Sequence, residues 1–387
     1  MKRILFITST LDSGGISKSM INLLNTIDKN KYIIDLFIFR PTDLYLQFLP
    51  KQIRLITNEK MNLAFAPFPQ CVLFLLKKGF FFIAIMRLIA AIVSRFNHGY
   101  SAWILSKIIP VLNEAYNCVV DYNGQHLLYY MIDKIRADVK ISFFHFDYSK
   151  WSHYYTMDKK YYPRVNYIFG VSENCVKSLK IYFPVCKNKI NVMENIISSQ
   201  LIKEMAEEEI TDFNLDAPVI LTVGHVNKQK GTDLAIAAAS ILVENKVKFK
   251  WYFIGACPEI EKYSKMKKQY GVNEKIVFLG LKTNPYPYIK YSTVFCLPSQ
   301  YEGKSIALDE AKILCKPIVV TNFSTVNDQF VNGINATICE MTPTSLATAL
   351  STLLLNKHLR EKYTNNLLLN RIDNQLEINK LYYVIDR

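Results

Sequence analysis

Residues 298–321 read Pro-Ser-Gln-Tyr-Glu-Gly-Lys-Ser-Ile-Ala-Leu-Asp-Glu-Ala-Lys-Ile-Leu-Cys-Lys-Pro-Ile-Val-Val-Thr. Just before them, Thr293–Leu297 is a short apolar run suited to a buried parallel strand. A turn follows, carrying Glu302, Gly303 and Ser305. Apolar residues at helical spacing over Ile306–Leu314 predict a helix, and Lys316-Pro317 stops it ahead of a second buried strand, Ile318–Thr321. Strand–loop–helix–strand units build doubly wound parallel sheets, so the fold class is α/β. Glu302 lies on the loop at the mouth of the helix, and Glu310 about two turns inside it. Gly303 admits close backbone approach to a ligand, and the amides near Ser305 and Ile306 suit a phosphate or an anionic sugar. Carboxylates accept hydrogen bonds in pairs and can hold vicinal hydroxyls. On spacing alone the two could equally be exposed carboxylates around a helix start.

The surrounding residues tip that balance. Glu302 and Glu310 in a Glu-x7-Glu pattern, with Pro-Ser-x-Tyr before and Lys-Pro-Ile-Val after, resemble the donor-site signature of glycosyltransferase family 4. That resemblance implies a GT-B fold, with two Rossmann-like doubly wound domains facing across a cleft. It also implies retaining, metal-independent sugar transfer from a nucleotide-diphosphate sugar, UDP-linked, which is a substrate rather than a cofactor. No cofactor is expected. The Leu-Asp-Glu-Ala-Lys-Ile-Leu-Cys-Lys-Pro-Ile segment looks most like bacterial enzymes of capsule or O-antigen assembly, which implies a hexosyl donor and a lipid-linked or saccharide acceptor.

The totals agree with this. A chain of 387 residues suits two domains. Half of it is hydrophobic and 21% charged, enough to bury large cores. A formal net charge of +14 favours an anionic partner. The eight cysteines are scattered without a C-x-x-C pair, as free thiols are in a reducing compartment. Met1-Lys2-Arg3 is basic, but Ile4–Ile7 is too short for a leader and reads as a first strand. The expected location is cytoplasmic, peripheral on the inner face of the membrane.

In chain order, Ile4–Thr8, a loop with Gly14-Gly15, and Met20–Ile27 form strand, turn and helix. This is not the G-x-G-x-x-G fingerprint, which removes the best support for a nicotinamide dehydrogenase. In the resembled family the loop faces the donor phosphates, and Gly15 inherits only a backbone role, since Ser17 stands where an acid is common. Ile33–Phe39 and Ile53–Leu55 are further strands. Leu63–Leu112 is helical in pattern and very apolar, studded with Lys77, Lys78, Arg87, Arg95 and Lys107 among Phe80, Phe81, Phe82, Phe96, Tyr100 and Trp103. It reads either as a membrane-interface region that contacts anionic lipid or as core helices.

Cys118–Tyr122, Lys140–Phe144, Tyr167–Val171 and Ile190–Met193 continue the strands. His145, at the carboxyl end of its strand, is placed where open α/β sheets bind ligands; in isolation a His there is more often a satisfied structural one, but the resembled family often carries a His here beside the reacting centre. Ser198–Pro218 is polar and marks the boundary. The expected domains are residues 1–197, a linker over 198–217, a donor domain over 218–358, and a tail over 359–387 that returns to the first domain.

In the second half, Val219–Val223 leads into Gly224-His-Val-Asn-Lys-Gln-Lys-Gly-Thr and the helix Asp233–Val243. This basic, glycine-flanked loop suits a diphosphate. It resembles the family's Gly-Arg-x-x-x-x-Lys-Gly with His225 in place of arginine, leaving Lys230 as the main cation. Lys250–Ile254 and Ile276–Leu279 are strands, and Gly280 resembles the position whose backbone meets the nucleotide base. The expected catalytic residues are thus Glu302, His145 and Lys230. The expected donor-binding set is Gly15, Gly224, His225, Lys230, Gly280, Gly303, Lys304, Ser305, Ile306 and Glu310. No Asp-x-Asp, Walker loop, nucleophile elbow or metal-ligand cluster occurs, so no metal is expected. A sugar-nucleotide epimerase on the same architecture is the alternative. Nucleic-acid binding has only the charge in its favour and is not expected.

Overall fold

A computed structural model describes residues 1–11, 14–41, 43–214, 216–369 and 374–387. The described chain divides into two compact units, one built mainly on residues 16–196 and the other on 197–374. Each unit is organised by one parallel sheet whose central strands are apolar and buried on both faces, as strands covered by helices must be.

The first sheet contains β1 (Lys2–Thr10), β2 (Tyr32–Arg40), β3 (Arg54–Ile56), β4 (Ala115–Asp121), β5 (Arg136–Phe144), β6 (Tyr167–Gly170) and β7 (Ile190–Val192). Its order is β3-β2-β1-β4-β5-β6-β7. Side chains alternate between two cores: Leu5, Ile7 and Val119 enter one, while Ile4, Phe6 and Val120 enter the other. The second sheet contains β8 (Val219–Val223), β9 (Lys250–Ile254), β10 (Ile276–Phe278), β11 (Val294–Leu297), β12 (Ile318–Thr321) and β13 (Thr337–Cys339). Its order is β10-β9-β8-β11-β12-β13, so both sheets reverse direction after their first-numbered strand.

The expected linker is in large part folded. Within it, Ser199–Met205 is a helix, capped by the Ser198 hydroxyl on the Leu201 amide. Ile197 and Ile202 bury against Ile306 and Ile313, which draws the segment into the second unit. The tail also divides differently from the expected boundary at 359. The helix Lys357–Leu369 stays with the second unit, where the Thr364 hydroxyl donates to the Cys315 carbonyl at 3.1 Å. Only residues from Gln375 onward join the first unit. There the helix Ile378–Asp386 buries Ile378, Leu381, Val384 and Ile385, each contributing about 1.5–3 kcal/mol. The Tyr32 hydroxyl donates to Asp386 at 2.8 Å, and Tyr382 accepts from the Asp28 amide at 2.8 Å.

The helix Ile306–Ile313 ends where Lys316-Pro317 predicts, by a specific device. Cys315 adopts a left-handed conformation (φ 52°), and the Lys316 amide reaches back to the Ala311 carbonyl at 2.9 Å. Such six-to-one closures usually place glycine at the left-handed position. The apolar region of the first unit is four helices, Glu59–Ala64, Gln70–Lys77, Phe81–Ser94 and His98–Ile108, and much of their apolar surface is exposed. The core-helix reading therefore fails for one face of this region.

Candidate active site

β8 and β11 are neighbours at the point where the order of the second sheet reverses, the place where open α/β sheets bind ligands. The loop 224–231 leaves the carboxyl end of β8 and enters the helix Thr232–Glu244; the loop 298–305 leaves β11 and enters Ile306–Ile313. The two loops are stitched together. The Gln300 amide donates to the Gln229 carbonyl at 2.8 Å, and the Gln229 side chain donates to the Tyr301 carbonyl at 3.4 Å. Gly231 (φ 72°) lies so close to Pro298 that a Cβ there would sit 1.8 Å from its carbonyl oxygen. Glycine is required at this position.

That stitching brings together two residues 72 positions apart. Lys230 Nζ donates to Glu302 Oε1 at 2.6 Å, and the Ser299 hydroxyl donates to the same oxygen at 2.6 Å. Glu302 is only 5% exposed, so its charge needs this neutralisation. The frame behind it is fixed as well. Thr325 donates to the Glu302 carbonyl at 2.9 Å, Thr321 to the Ser299 carbonyl at 2.5 Å, and Asn227 holds the Lys230 amide at 2.9 Å. The arrangement offers a cation held at a strand end by a carboxylate, beside a helix start: the elements for receiving a diphosphate together with a hydroxylated group.

Glu310 is 1% exposed and accepts the Tyr286 hydroxyl at 3.1 Å. Neither acid of the pair is thus an exposed carboxylate. Gly303, Lys304, Ser305 and Ile306 complete the turn into the helix. The Ser305 amide donates to Gln329 Oε1 at 3.2 Å, while Gln329 Nε2 donates to the Ser305 carbonyl and to Asp309 at 3.2 and 2.9 Å. The helix-start amides outside the helical ladder therefore run from Ile306 onward. Gln329, Ser299, Thr321 and Thr325 were not singled out from sequence. Their roles depend on side chains meeting across the fold, and only the polar ends of apolar strands hint at them. Gly224 and half-buried His225 follow β8, and Gly280 follows β10, its carbonyl accepting from the Gly255 amide at 2.9 Å.

Gly15 and His145 belong to connections of the first sheet. Gly15 opens the helix Gly15–Thr26 after β1, and His145 directly follows β5. The loop residues 12 and 13 lie outside the described residues. His145 is buried, its ring packed 4.8 Å from that of Tyr122, with Nε2 3.0 Å from the Tyr122 carbonyl. A carbonyl accepts only, so Nε2 carries the proton and Nδ1 the lone pair. Beneath that carbonyl, Asp121 accepts from the Asn123 and Gly124 amides and from the Ser142 hydroxyl at 3.1, 2.8 and 2.8 Å. Burial nonetheless pushes the Asp121 carboxyl up to about 6.

Burial lowers the His145 pKa to about 4, with the Tyr122 carbonyl partly opposing the shift. A lowered imidazole pKa contributes stability above the ordinary value near 6.5, and that contribution disappears as pH falls through about 4. His145 is expected to remain neutral at pH 5.5, with Nε2 protonated. Nitrogen chemical shifts of labelled histidine, assigned with a His145→Gln variant, check this; a midpoint at or above 6.5 would refute it.

Residues 204–367 match the family model described as Glycosyl transferases group 1. Across its whole length the chain superimposes on the whole Anabaena protein HepE, crystallised with UDP and glucose, with a TM-score of 0.71 at 12% identity. Sucrose-phosphate synthase from Thermosynechococcus elongatus gives a TM-score of 0.74 at 13% identity, covering 99% of this chain and 98% of that one. The fold is GT-B. In sequence, an N-acetylgalactosaminyltransferase of Campylobacter jejuni, which by its name acts on a diphospho-undecaprenol-linked saccharide, is 27% identical over 206 residues. That match covers 53% of this chain and 55% of the relative. An uncharacterized glycosyltransferase of Methanocaldococcus jannaschii is 23% identical over 171 residues, covering 43% and 42%. The chain spans about half the length of the curated relatives it matches. Both the family match and the stitched loops of this GT-B chain fall in its second unit.

Proposed function

We propose that this GT-B protein is a retaining, metal-independent glycosyltransferase of glycosyltransferase family 4. It moves a hexosyl unit from a nucleotide-diphosphate sugar, UDP-linked, to a lipid-linked saccharide in bacterial surface-polysaccharide assembly, working at the inner face of the cytoplasmic membrane. The observation that carries this reading is the Lys230–Glu302–Ser299 constellation at the switch point of the second sheet. UDP and glucose in the HepE structure and the acceptor named for the Campylobacter relative support the choice of substrates.

In this mechanism Lys230 and the amides from Ile306 onward take the charge of the leaving diphosphate. His225, Gly224, Gly280, Gly303 and Lys304 line the donor, and Gly15 meets it through its backbone. Glu302 holds the transferred sugar, and Glu310 holds the ribose by exchanging the Tyr286 hydroxyl for a ribose hydroxyl. The bond from the anomeric carbon to the phosphate oxygen breaks, and the bond to the acceptor oxygen forms on the same face. The acceptor proton passes to the leaving phosphate oxygen. His145, with its low pKa, positions the acceptor through the Nδ1 lone pair rather than removing the proton.

The test is a panel of nucleotide sugars with a lipid-linked oligosaccharide acceptor, run with and without EDTA. Nucleotide release that survives EDTA, with the sugar joined in its original anomeric configuration, is the expected result. An epimerised nucleotide sugar as product would favour the epimerase instead, and release from no donor would end the proposal.

A further inference from the structure

Residues 60–113 contain six cationic side chains and not one Asp or Glu. On the helix Phe81–Ser94 only Ala84 and Ala90 are buried. Phe81, Phe82, Ile85, Leu88, Ile89 and Ile92 are between 40% and 69% exposed, and Phe96 just beyond is 85% exposed. Their spacing puts them on one side of the helix. The preceding helix adds exposed Leu73, Phe74 and Leu76. Exposed Lys77 and Arg95 stand at the edges. A contiguous apolar face of this extent on a folded protein marks an interaction surface.

A groove of about 460 Å³ opens beside this face, between Phe81–Ser94 and His98–Ile108. Its walls are apolar, with Phe68, Leu88, Ile92 and Leu105 among them, and Arg87 and Arg95 line it too. That volume is within the range of sites for organic ligands. Arg87 is half-buried and has no carboxylate partner among the described residues. It donates to Cys71 Sγ at 3.5 Å and lies 5.9 Å from the Phe65 ring centre, while its Nε is buried without a hydrogen bond. A guanidinium in an apolar groove with no counter-ion calls for an anion that brings hydrocarbon with it.

We infer that the first unit docks on an anionic lipid surface through the exposed face of Gln70–Lys77 and Phe81–Ser94. One lipid of that surface lays a hydrocarbon chain in the groove and its phosphate against Arg87 and Arg95. Charge complementarity selects this occupant: the face is rimmed by cations and has no acid across 54 residues of sequence. Among the described residues no helix is long and apolar enough to cross a membrane, so the docking is interfacial. The inference deepens the proposed function, resting on it only for the acceptor's location.

The experiment is sedimentation with phosphatidylcholine vesicles, with and without phosphatidylglycerol, at low and high salt. The wild-type chain is expected to bind phosphatidylglycerol vesicles at low salt and to leave them as salt rises. Phe82→Asp combined with Ile92→Asp should lower partitioning at least about tenfold, and Arg95→Gln or Arg87→Gln about fivefold each. All four positions are on the exposed face or groove, and circular dichroism confirms that the variants remain folded. Absence of wild-type binding, or wild-type binding by the double Asp variant, overturns the inference. So does light scattering that shows a wild-type dimer which the Asp pair turns into monomers, because the face is then a contact between copies. Nucleotide release measured without vesicles tests the transferase reading separately: binding without turnover leaves the docking surface standing, and turnover without binding leaves the transferase.

Discussion

Lys230→Ala is expected to lower kcat/KM for the donor about 10²–10³-fold, the range for removing one preorganised charge-stabilising donor. Lys230 is the cation that the two stitched loops aim at the switch point, and Glu302 Oε1 fixes its ammonium at 2.6 Å. Glu302→Gln keeps the shape and removes the charge, so turnover should fall by more than donor affinity does. Glu310→Gln should instead raise the donor KM with a smaller effect on turnover, since a ribose contact is uniform along the reaction. The pair acts as a unit, so Lys230→Ala with Glu302→Gln should fall well short of the product of the two single losses. Lys230→Ala also strands a nearly buried carboxylate that keeps only Ser299, which should cost about 1–3 kcal/mol of stability. Steady-state kinetics and urea melts of the three single variants and the double measure all of this. Normal kcat/KM in a folded Lys230→Ala protein would place the diphosphate elsewhere.

Much of the second unit was legible because parallel strands buried on both faces write themselves as uninterrupted apolar runs. Val219–Val223, Lys250–Ile254 and Ile318–Thr321 carry the same limits in the structure as in the sequence reading. Elements without such a signature were missed. β13 is three residues long, and its apolar character is broken by Thr337. The helix Ile260–Gln269 buries Tyr263 alone among ten largely polar residues, so it has almost no apolar stripe to read. Ser199–Met205 reads as linker because four of its seven residues are polar and Ile202, which it buries, finds its partners in Ile306 and Ile313, about a hundred positions away.

The site divides along the same line. Glu302, Lys230 and Glu310 are visible as residue types in motifs, but the ion pair and the burial of both acids arise from contacts across the fold. Leu63–Leu112 shows the converse limit. Sequence shows an amphipathic helical region, yet which apolar residues face the core depends on packing, which turns Ala84 and Ala90 inward and Phe82 outward.

Gly231→Ala is expected to destabilise the second unit by about 3 kcal/mol or more, a size reserved for a few named causes. Two act here. The left-handed backbone (φ 72°) costs any residue with a Cβ about 1–2 kcal/mol. The Cβ would also lie 1.8 Å from the Pro298 carbonyl oxygen, a backbone atom that moves only if β11 or the 298–305 loop moves. Relief by that route separates the two loops, breaks the Gln300–Gln229 hydrogen bond and lengthens the 2.6 Å Lys230–Glu302 contact. Activity should therefore fall even in the fraction that stays folded. Gly271→Ala is the matched control: it has nearly the same dihedral (φ 67°) in the same unit, but nothing lies within 4 Å of its Cβ. It should lose only the conformational part, about 1–2 kcal/mol, and keep wild-type kinetics. Urea denaturation of both variants, with kinetics under native conditions, separates strain from collision. Equal losses in the two would mean that the loops are not pressed together at Gly231, and that Lys230 meets Glu302 for some other reason.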